Sequence, residues 1–206
     1  LRVSVFAGMC SGKSAKDGIH PMRDKKVELI ADPRLNLLDR PDNVHGFGYS
    51  LFDDEGTPSA STELIKAGKL KSLIHNSMTA SYFKTQSTGH AKRGPRSALG
   101  VGLHQLEIAA GDAEDTELHG GEYLMLTDLT GMHSGANAVS GEFSFGASGY
   151  LCENGERSQS VRNVTVAGNF YQMLQNINMI GNRQHWNWQR SALMPSIRFS
   201  DVAISG

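Results

Sequence analysis

The segment from Gly131 to Asn182 constrains the fold most, because glycines interrupt it at short intervals while the residues between them are apolar and strand-like. It opens with Gly131-Met-His-Ser-Gly135 and continues through Val139-Ser-Gly-Glu-Phe-Ser-Phe-Gly-Ala-Ser-Gly149. It closes with Glu153-Asn-Gly-Glu156, Val166-Ala-Gly-Asn169 and Met179-Ile-Gly-Asn182. A residue without Cβ at such places marks a backbone that turns, bulges or passes close to another segment. Between the glycines, Phe143, Phe145 and Ala147 fall on one face of a strand and Glu142, Ser144 and Gly146 on the other. No standard cofactor loop has this glycine spacing.

The rest of the chain reads as short strands separated by turn residues. Strands are expected at Val27–Ala31, Leu35–Leu38, Val44–Leu51, Glu63–Ile65, Leu70–Ile74, Val101–Ala109, Glu122–Leu129, Glu142–Tyr150 and Val161–Val166, with one or two more between Ala192 and Ile204. Ala67-Gly68 is placed to turn a hairpin, and Asp53-Asp-Glu-Gly56 is an acidic tight turn with Gly56 at a positive-φ position. Two short helices are expected. Asn76 is available to cap the one over Asn76–Phe83, and apolar residues at 170, 173, 174 and 177 give helical spacing to Phe170–Ile177. Gln86–Gly102 reads as a loop. The pattern predicts an α+β fold, predominantly antiparallel β, with a barrel-like or sandwich core and a few short helices.

Composition narrows the function. The 206 residues, with 39% apolar content, suffice for a substantial core. The net charge of -1 provides no basic excess to neutralise phosphates, so direct nucleic-acid binding is not expected. No apolar run approaches the length of a membrane span, and the N-terminus lacks a signal-peptide pattern. Cys10 and Cys152 have no CxxC spacing and read as reduced, buried thiols of a cytoplasmic protein.

Chemistry-bearing patterns are sparse. Ala7-Gly-Met-Cys-Ser-Gly-Lys-Ser14 ends like a phosphate loop, but Ala7 stands where the first glycine is required. Eight histidines are present, none paired at helical zinc spacing, and HExxH does not occur. The reading therefore assigns no metal ligands and no catalytic residues. His133, in the glycine-rich loop, is the best single candidate for chemistry. The stretch Gly131–Gly155 reads either as strands crossing in backbone contact or as a wall that binds an extended peptide by strand addition. Ser140, Gly141, Phe143, Phe145, Gly146 and Gly149 are its peptide- or partner-contact candidates. Trp186 and Trp188, two apart on one strand face, either anchor a partner or cover one end of the core.

In order and spacing, several segments together resemble the C-terminal portion of the TldD/PmbA family, in its PmbA (TldE) branch. They are Asp53-Asp-Glu-Gly-Thr-Pro58, Leu64-Ile-Lys-Ala-Gly-Lys-Leu70, Ser87-Thr-Gly-His-Ala91, Val139–Gly149, Glu153-Asn-Gly-Glu156 and Val164-Thr-Val-Ala-Gly-Asn169, with Gly181-Asn182 and Ala203–Gly206 at the end. The resemblance covers nearly all of the chain, and implies that residues 1–206 form the C-terminal domain of a longer protein whose N-terminal half is absent. It further implies a cytoplasmic, dimeric peptidase system linked by older descriptions to modulation of DNA gyrase. In that system a TldD-type subunit carries an HExxxH zinc motif and cuts unfolded peptides. The stretch Gly8–Gly18, which the resemblance sets in the place of that motif, holds neither histidine nor glutamate. The implied function is a non-catalytic or regulatory subunit, with no cofactor in this chain and zinc in a TldD-type partner. Alternatives are an independent metal-dependent peptidase, working as a homodimer, and a non-enzymatic protein-binding module associated with gyrase.

Overall fold

The structure, a computed structural model, describes residues 8–19, 29–131, 135–137 and 139–206. Two compact units make up the chain. Unit 1 takes residues 1–109 and 184–195, and unit 2 takes 110–183 and 196–206.

In unit 1 the apolar alternation around Leu35 and Leu37 builds a core strand, β1 (Leu37–Asp39), at the centre of a mainly antiparallel sheet. One side of β1 pairs with β2 (Thr62–Lys66), which turns through Ala67 and Gly68 into β3 (Lys69–Leu70). Both turn residues have positive φ, 47° and 72°, as a two-residue hairpin requires. The other side of β1 pairs with β6 (Leu106–Ile108), setting Leu37 against Ile108 and Asp39 against Leu106. A small hairpin of β4 (Ala91–Lys92) and β5 (Gly100–Val101) lies within the expected loop. Helix α1 (Gly12–Lys16) is capped by Ser11, and α2 (Ser77–Tyr82) by Asn76. Asn76 Oδ1 accepts from the Thr79 amide at 2.9 Å and Thr79 Oγ1 accepts from the Asn76 amide at 3.1 Å, a reciprocal capping box.

Unit 2 is dominated by a sheet in the order β12–β9–β8–β7, formed by β7 (Glu122–Thr130), β8 (Glu142–Glu153), β9 (Glu156–Asn169) and β12 (Ala203–Ser205). The turn between β8 and β9 is Asn154-Gly155, again with positive φ at both residues. Gly149 sits where both neighbouring strands shift register against β8, and a Cβ there would lie 1.9 Å from the Met125 carbonyl oxygen. Helix α3 (Asp115–Leu118) lies in the acidic stretch before β7, and α4 (Phe170–Gln175) follows β9 with Asn169 as its cap. Two further strands, β10 (Ile177–Trp186) and β11 (Ala192–Phe199), each belong partly to both units.

The expected α+β class with antiparallel sheets and short helices is what forms. Among the described residues the sheets do not close into a barrel, and β11 pairs with β6 in parallel. Three local expectations change. Val44–Leu51 forms turns and bends, because its partner is a side chain. The Gln105 amide group donates to the Arg40 and Asn43 carbonyls and accepts from the Gly48 amide. The strand expected over Val101–Ala109 breaks between β5 and β6, where the amides of His104 and Gln105 turn to a carboxylate. The strand β10 was not expected at all. The expected strand at Val27–Ala31 begins outside the described residues, and Leu29 makes a single bridge to Lys69.

Gly149→Ala is predicted to destabilise the protein by about 1–3 kcal/mol, through the overlap with Met125. A lower urea midpoint at unchanged slope would register it. Asn76→Ala is expected to cost about 1–2 kcal/mol in the same measurement, through loss of the cap.

Candidate functional site

The alternation that buries Leu35 and Leu37 also turns Asp39 inward, and its side chain is fully buried. A carboxylate in a core demands partners. Oδ1 accepts from the amides of Gln105 at 2.9 Å and His104 at 3.0 Å. Oδ2 faces two imidazoles, His90 Nε2 at 2.9 Å and His104 Nδ1 at 2.9 Å. The two rings meet edge to face, with centroids 4.9 Å apart.

Each ring is also held at its far nitrogen. His90 Nδ1 lies 2.7 Å from the Thr88 carbonyl and 2.9 Å from its hydroxyl. His104 Nε2 lies 3.2 Å from Ser59 Oγ. The Thr88 carbonyl only accepts, so His90 Nδ1 carries a hydrogen.

The segment that delivers His90 is anchored from several directions. Gly89 adopts φ +70°, and a Cβ there would lie 2.6 Å from the Pro58 carbonyl oxygen. Thr88 Oγ1 accepts from the His75 amide at 2.7 Å. The acidic turn supplies the rest. Asp53 Oδ2 accepts from the Ala91 amide at 2.9 Å, while Oδ1 accepts from the amides of Glu55 and Thr57 at 3.0 and 2.9 Å. Glu55 accepts from the amide and hydroxyl of Ser77 at the start of α2. Asp53 therefore positions the His90 segment, while Glu55 holds the start of α2.

Burial pushes the Asp39 carboxyl up, but hydrogen bonds from His104 and His90, together with the electrostatic pull of the rings, hold it below the usual carboxylate range. Cys10 is fully buried in the same unit, and burial followed by the charge of Asp39 pushes its thiol up to about 12. Cys10 and Cys152 are both free and buried, as expected.

Asp39, His90 and His104 each offer one ligand atom, and these atoms lie within 4.8 Å of one another. Among the described residues no other group of three or more His, Cys, Asp or Glu side chains converges in this way. Histidine and carboxylate donors suit zinc. The three side chains are at most 2% exposed, so the donor set lies away from the surface.

The sequence reading missed this cluster because its members are separated by 51 and 14 positions and share no motif. The available signal was the alternation Leu35, Leu37, Asp39, which puts a carboxylate on the core face.

The residues nominated from sequence do not gather in one place. Ser140, Gly141, Phe143, Phe145, Gly146 and Gly149 lie in unit 2, whereas Trp186 and Trp188 lie in unit 1. His133 lies outside the described residues. Phe143 and Phe145 stack at 5.2 Å on β8. Both edges of β8 are occupied, by β7 and β9, so strand addition to this sheet would have to use an outer edge, of which the nine-residue β7 offers a long one. A Cβ on Gly146 would meet Thr130 Oγ1 at 2.4 Å, and one on Gly141 would meet the Tyr171 ring at 2.4 Å. Trp186 is half-buried at the end of β10, against Gly46, while Trp188 is 94% exposed in the turn that follows. The two tryptophans thus do not share a strand face. Phe47, 79% exposed, hydrogen-bonds through its amide to the Arg190 carbonyl, and the Arg190 guanidinium stands 5.9 Å from its ring.

A family profile described as "PmbA/TldA metallopeptidase C-terminal domain" matches residues 2–206. The chain belongs to the PmbA/TldD family. Metalloprotease PmbA of Escherichia coli O157:H7 is 32% identical over 161 residues, covering 77% of this chain and 33% of that protein. A Haemophilus influenzae PmbA homologue is 28% identical over 178 residues, covering 85% of this chain and 37% of its own length. Two crystal structures share the fold. A Thermotoga maritima protein described as a candidate modulator of DNA gyrase superposes with a TM-score of 0.89 at 30% identity, over 98% of this chain and 46% of its own. TldE from Thermococcus kodakarensis superposes with a TM-score of 0.85 at 28% identity, over 96% and 45%. The chain thus spans between a third and a half of the length of these PmbA/TldD relatives. No helix among the described residues is long and apolar enough to cross a membrane.

Asp39→Asn is expected to destabilise this PmbA/TldD domain by about 3–5 kcal/mol, since it removes one partner of a buried charge network. Chemical denaturation measures it. Iodoacetamide at pH 8 should leave both thiols unmodified in the native state and label both once the chain is unfolded, as read by intact-mass spectrometry.

Proposed function

We propose that the chain is the C-terminal domain of a PmbA-type, non-catalytic or regulatory subunit of a TldD/PmbA-type metallopeptidase system acting on unfolded peptides. The observation that carries this reading is the sealed character of the one convergent donor set among the described residues. A catalytic zinc keeps one position open for water and substrate. The side chains of Asp39, His90 and His104 are at most 2% exposed, too little for a peptide to reach them. The match to TldE of T. kodakarensis supports the branch.

The subunit role is to enclose and guide the peptide beside a TldD-type partner that supplies the zinc and the general base. The β8–β9 hairpin with the stacked Phe143 and Phe145 offers a firm wall, and the outer edge of β7 offers nine residues of backbone for an extended peptide. Phe47 and Trp188 are exposed aromatic side chains of the kind that anchor protein partners. The name metalloprotease, carried by the E. coli relative, favours a second reading, in which the protein is itself a metal-dependent peptidase working as a homodimer.

Affinity capture of the full-length protein from its native extract separates the two. An HExxxH-bearing relative retained in near-equal amount is the expected result. Capture of the protein only with itself, together with zinc-dependent peptide cleavage by that homodimer, overturns the subunit reading. The double variant Phe47→Ala, Trp188→Ala is predicted to weaken partner retention by about tenfold or more while leaving the thermal midpoint unchanged.

A further inference from the structure

We propose that Asp39 Oδ2, His90 Nε2 and His104 Nδ1 bind a structural zinc ion inside unit 1, independently of any catalytic zinc in a partner. The proposal stands on two features of the geometry. The first is convergence, because the three atoms approach one another within 4.8 Å and both imidazole nitrogens stand 2.9 Å from the same carboxylate oxygen. A tetrahedral zinc with bonds of about 2.0–2.1 Å sets its donors roughly 3.3 Å apart, so binding opens the two nitrogen–oxygen separations by a few tenths of an ångström and brings the two nitrogens to a similar spacing, with a water as fourth ligand.

The second is the outer shell. A zinc-bound histidine almost always donates its other ring N–H to a carbonyl, carboxylate or water, and a zinc-bound carboxylate is itself hydrogen-bonded. All three residues meet that condition already. His90 Nδ1 is set on the Thr88 carbonyl, His104 Nε2 faces the Ser59 hydroxyl, and Asp39 Oδ1 is held by the amides of His104 and Gln105. The atoms left facing inward are the three that would bind the ion.

On binding, zinc replaces the hydrogens between Oδ2 and the two rings. His90 keeps its hydrogen on Nδ1. His104 carries its hydrogen on Nε2, where Ser59 Oγ turns to accept it, and any further ring proton leaves to solvent. The donor set of two imidazoles and one carboxylate favours zinc over calcium or magnesium, which prefer all-oxygen sites. Burial of the three side chains gives the ion a role in stability. It would tie together β1, the segment before β4 and the segment before β6, which are remote in sequence.

The test is metal binding by the purified protein. After chelator treatment and dialysis, zinc is added and protein-bound metal is measured by mass spectrometry. The unaltered protein is expected to bind one equivalent more than His90→Gln or His104→Gln, with a thermal midpoint raised by roughly 10 °C in excess zinc. Zinc-edge X-ray absorption on the unaltered protein should show scattering from two imidazoles, which decides the matter even where a variant fails to fold. A folded, unaltered protein that takes up no zinc overturns the proposal. So does equal zinc content in folded variants, or a spectrum showing fewer than two imidazoles.

Discussion

Unit 1 depends on one buried carboxylate. Asp39 ends a core strand, and the same alternation that buries Leu37 leaves its charge inside the protein. The charge is tolerable because four groups from distant parts of the chain donate to it: two backbone amides and two imidazoles. Those donors fix the path of the chain around them. The amides of His104 and Gln105 turn toward the carboxylate and break the strand that the apolar pattern would otherwise continue. Gln105, held there, uses its side-chain amide to gather the turns between Arg40 and Gly48.

The acidic turn at Asp53–Gly56 completes this arrangement. Its carboxylates Asp53 and Glu55 accept from backbone amides and from the Ser77 hydroxyl. Asp53 closes its own turn and holds the Ala91 amide, next to His90, while Glu55 covers the start of α2. Carboxylates at these positions act as local clamps.

Unit 2 follows a different logic, in which backbone approach matters more than charge. Its long strands tolerate close passage because glycine stands where a side chain would collide, as Gly149 does against Met125. The Asn154-Gly155 turn joins β8 to β9 with the twist that antiparallel strands need. The result is a regular sheet whose central strand is closed to further pairing, so any extended ligand must use an edge or meet side chains.

Much of this was legible from the chain alone. The Ala67-Gly68 hairpin turn, the Asn76 cap, the helical spacing after Asn169 and the alternation of β8 are local signals, set by backbone conformation and side-chain period over a few residues. The ordered segments that resemble the PmbA/TldD family were also visible, since they depend only on residue identity and spacing. The meeting of Asp39, His90 and His104 was not visible. It requires β1 to lie beside β6 and the His90 segment to be clamped by Asp53, and neither contact has a sequence period. The breaking of the strand at Gly102–Gln105 was hidden for the same reason, because a carboxylate 65 and 66 positions away outcompetes the expected strand partners for two amides. Local sequence determined which elements form and where they turn. Only the tertiary structure decided which polar groups would share the core, because the free-energy cost of burying a charge is set by the donors that long-range packing brings to it.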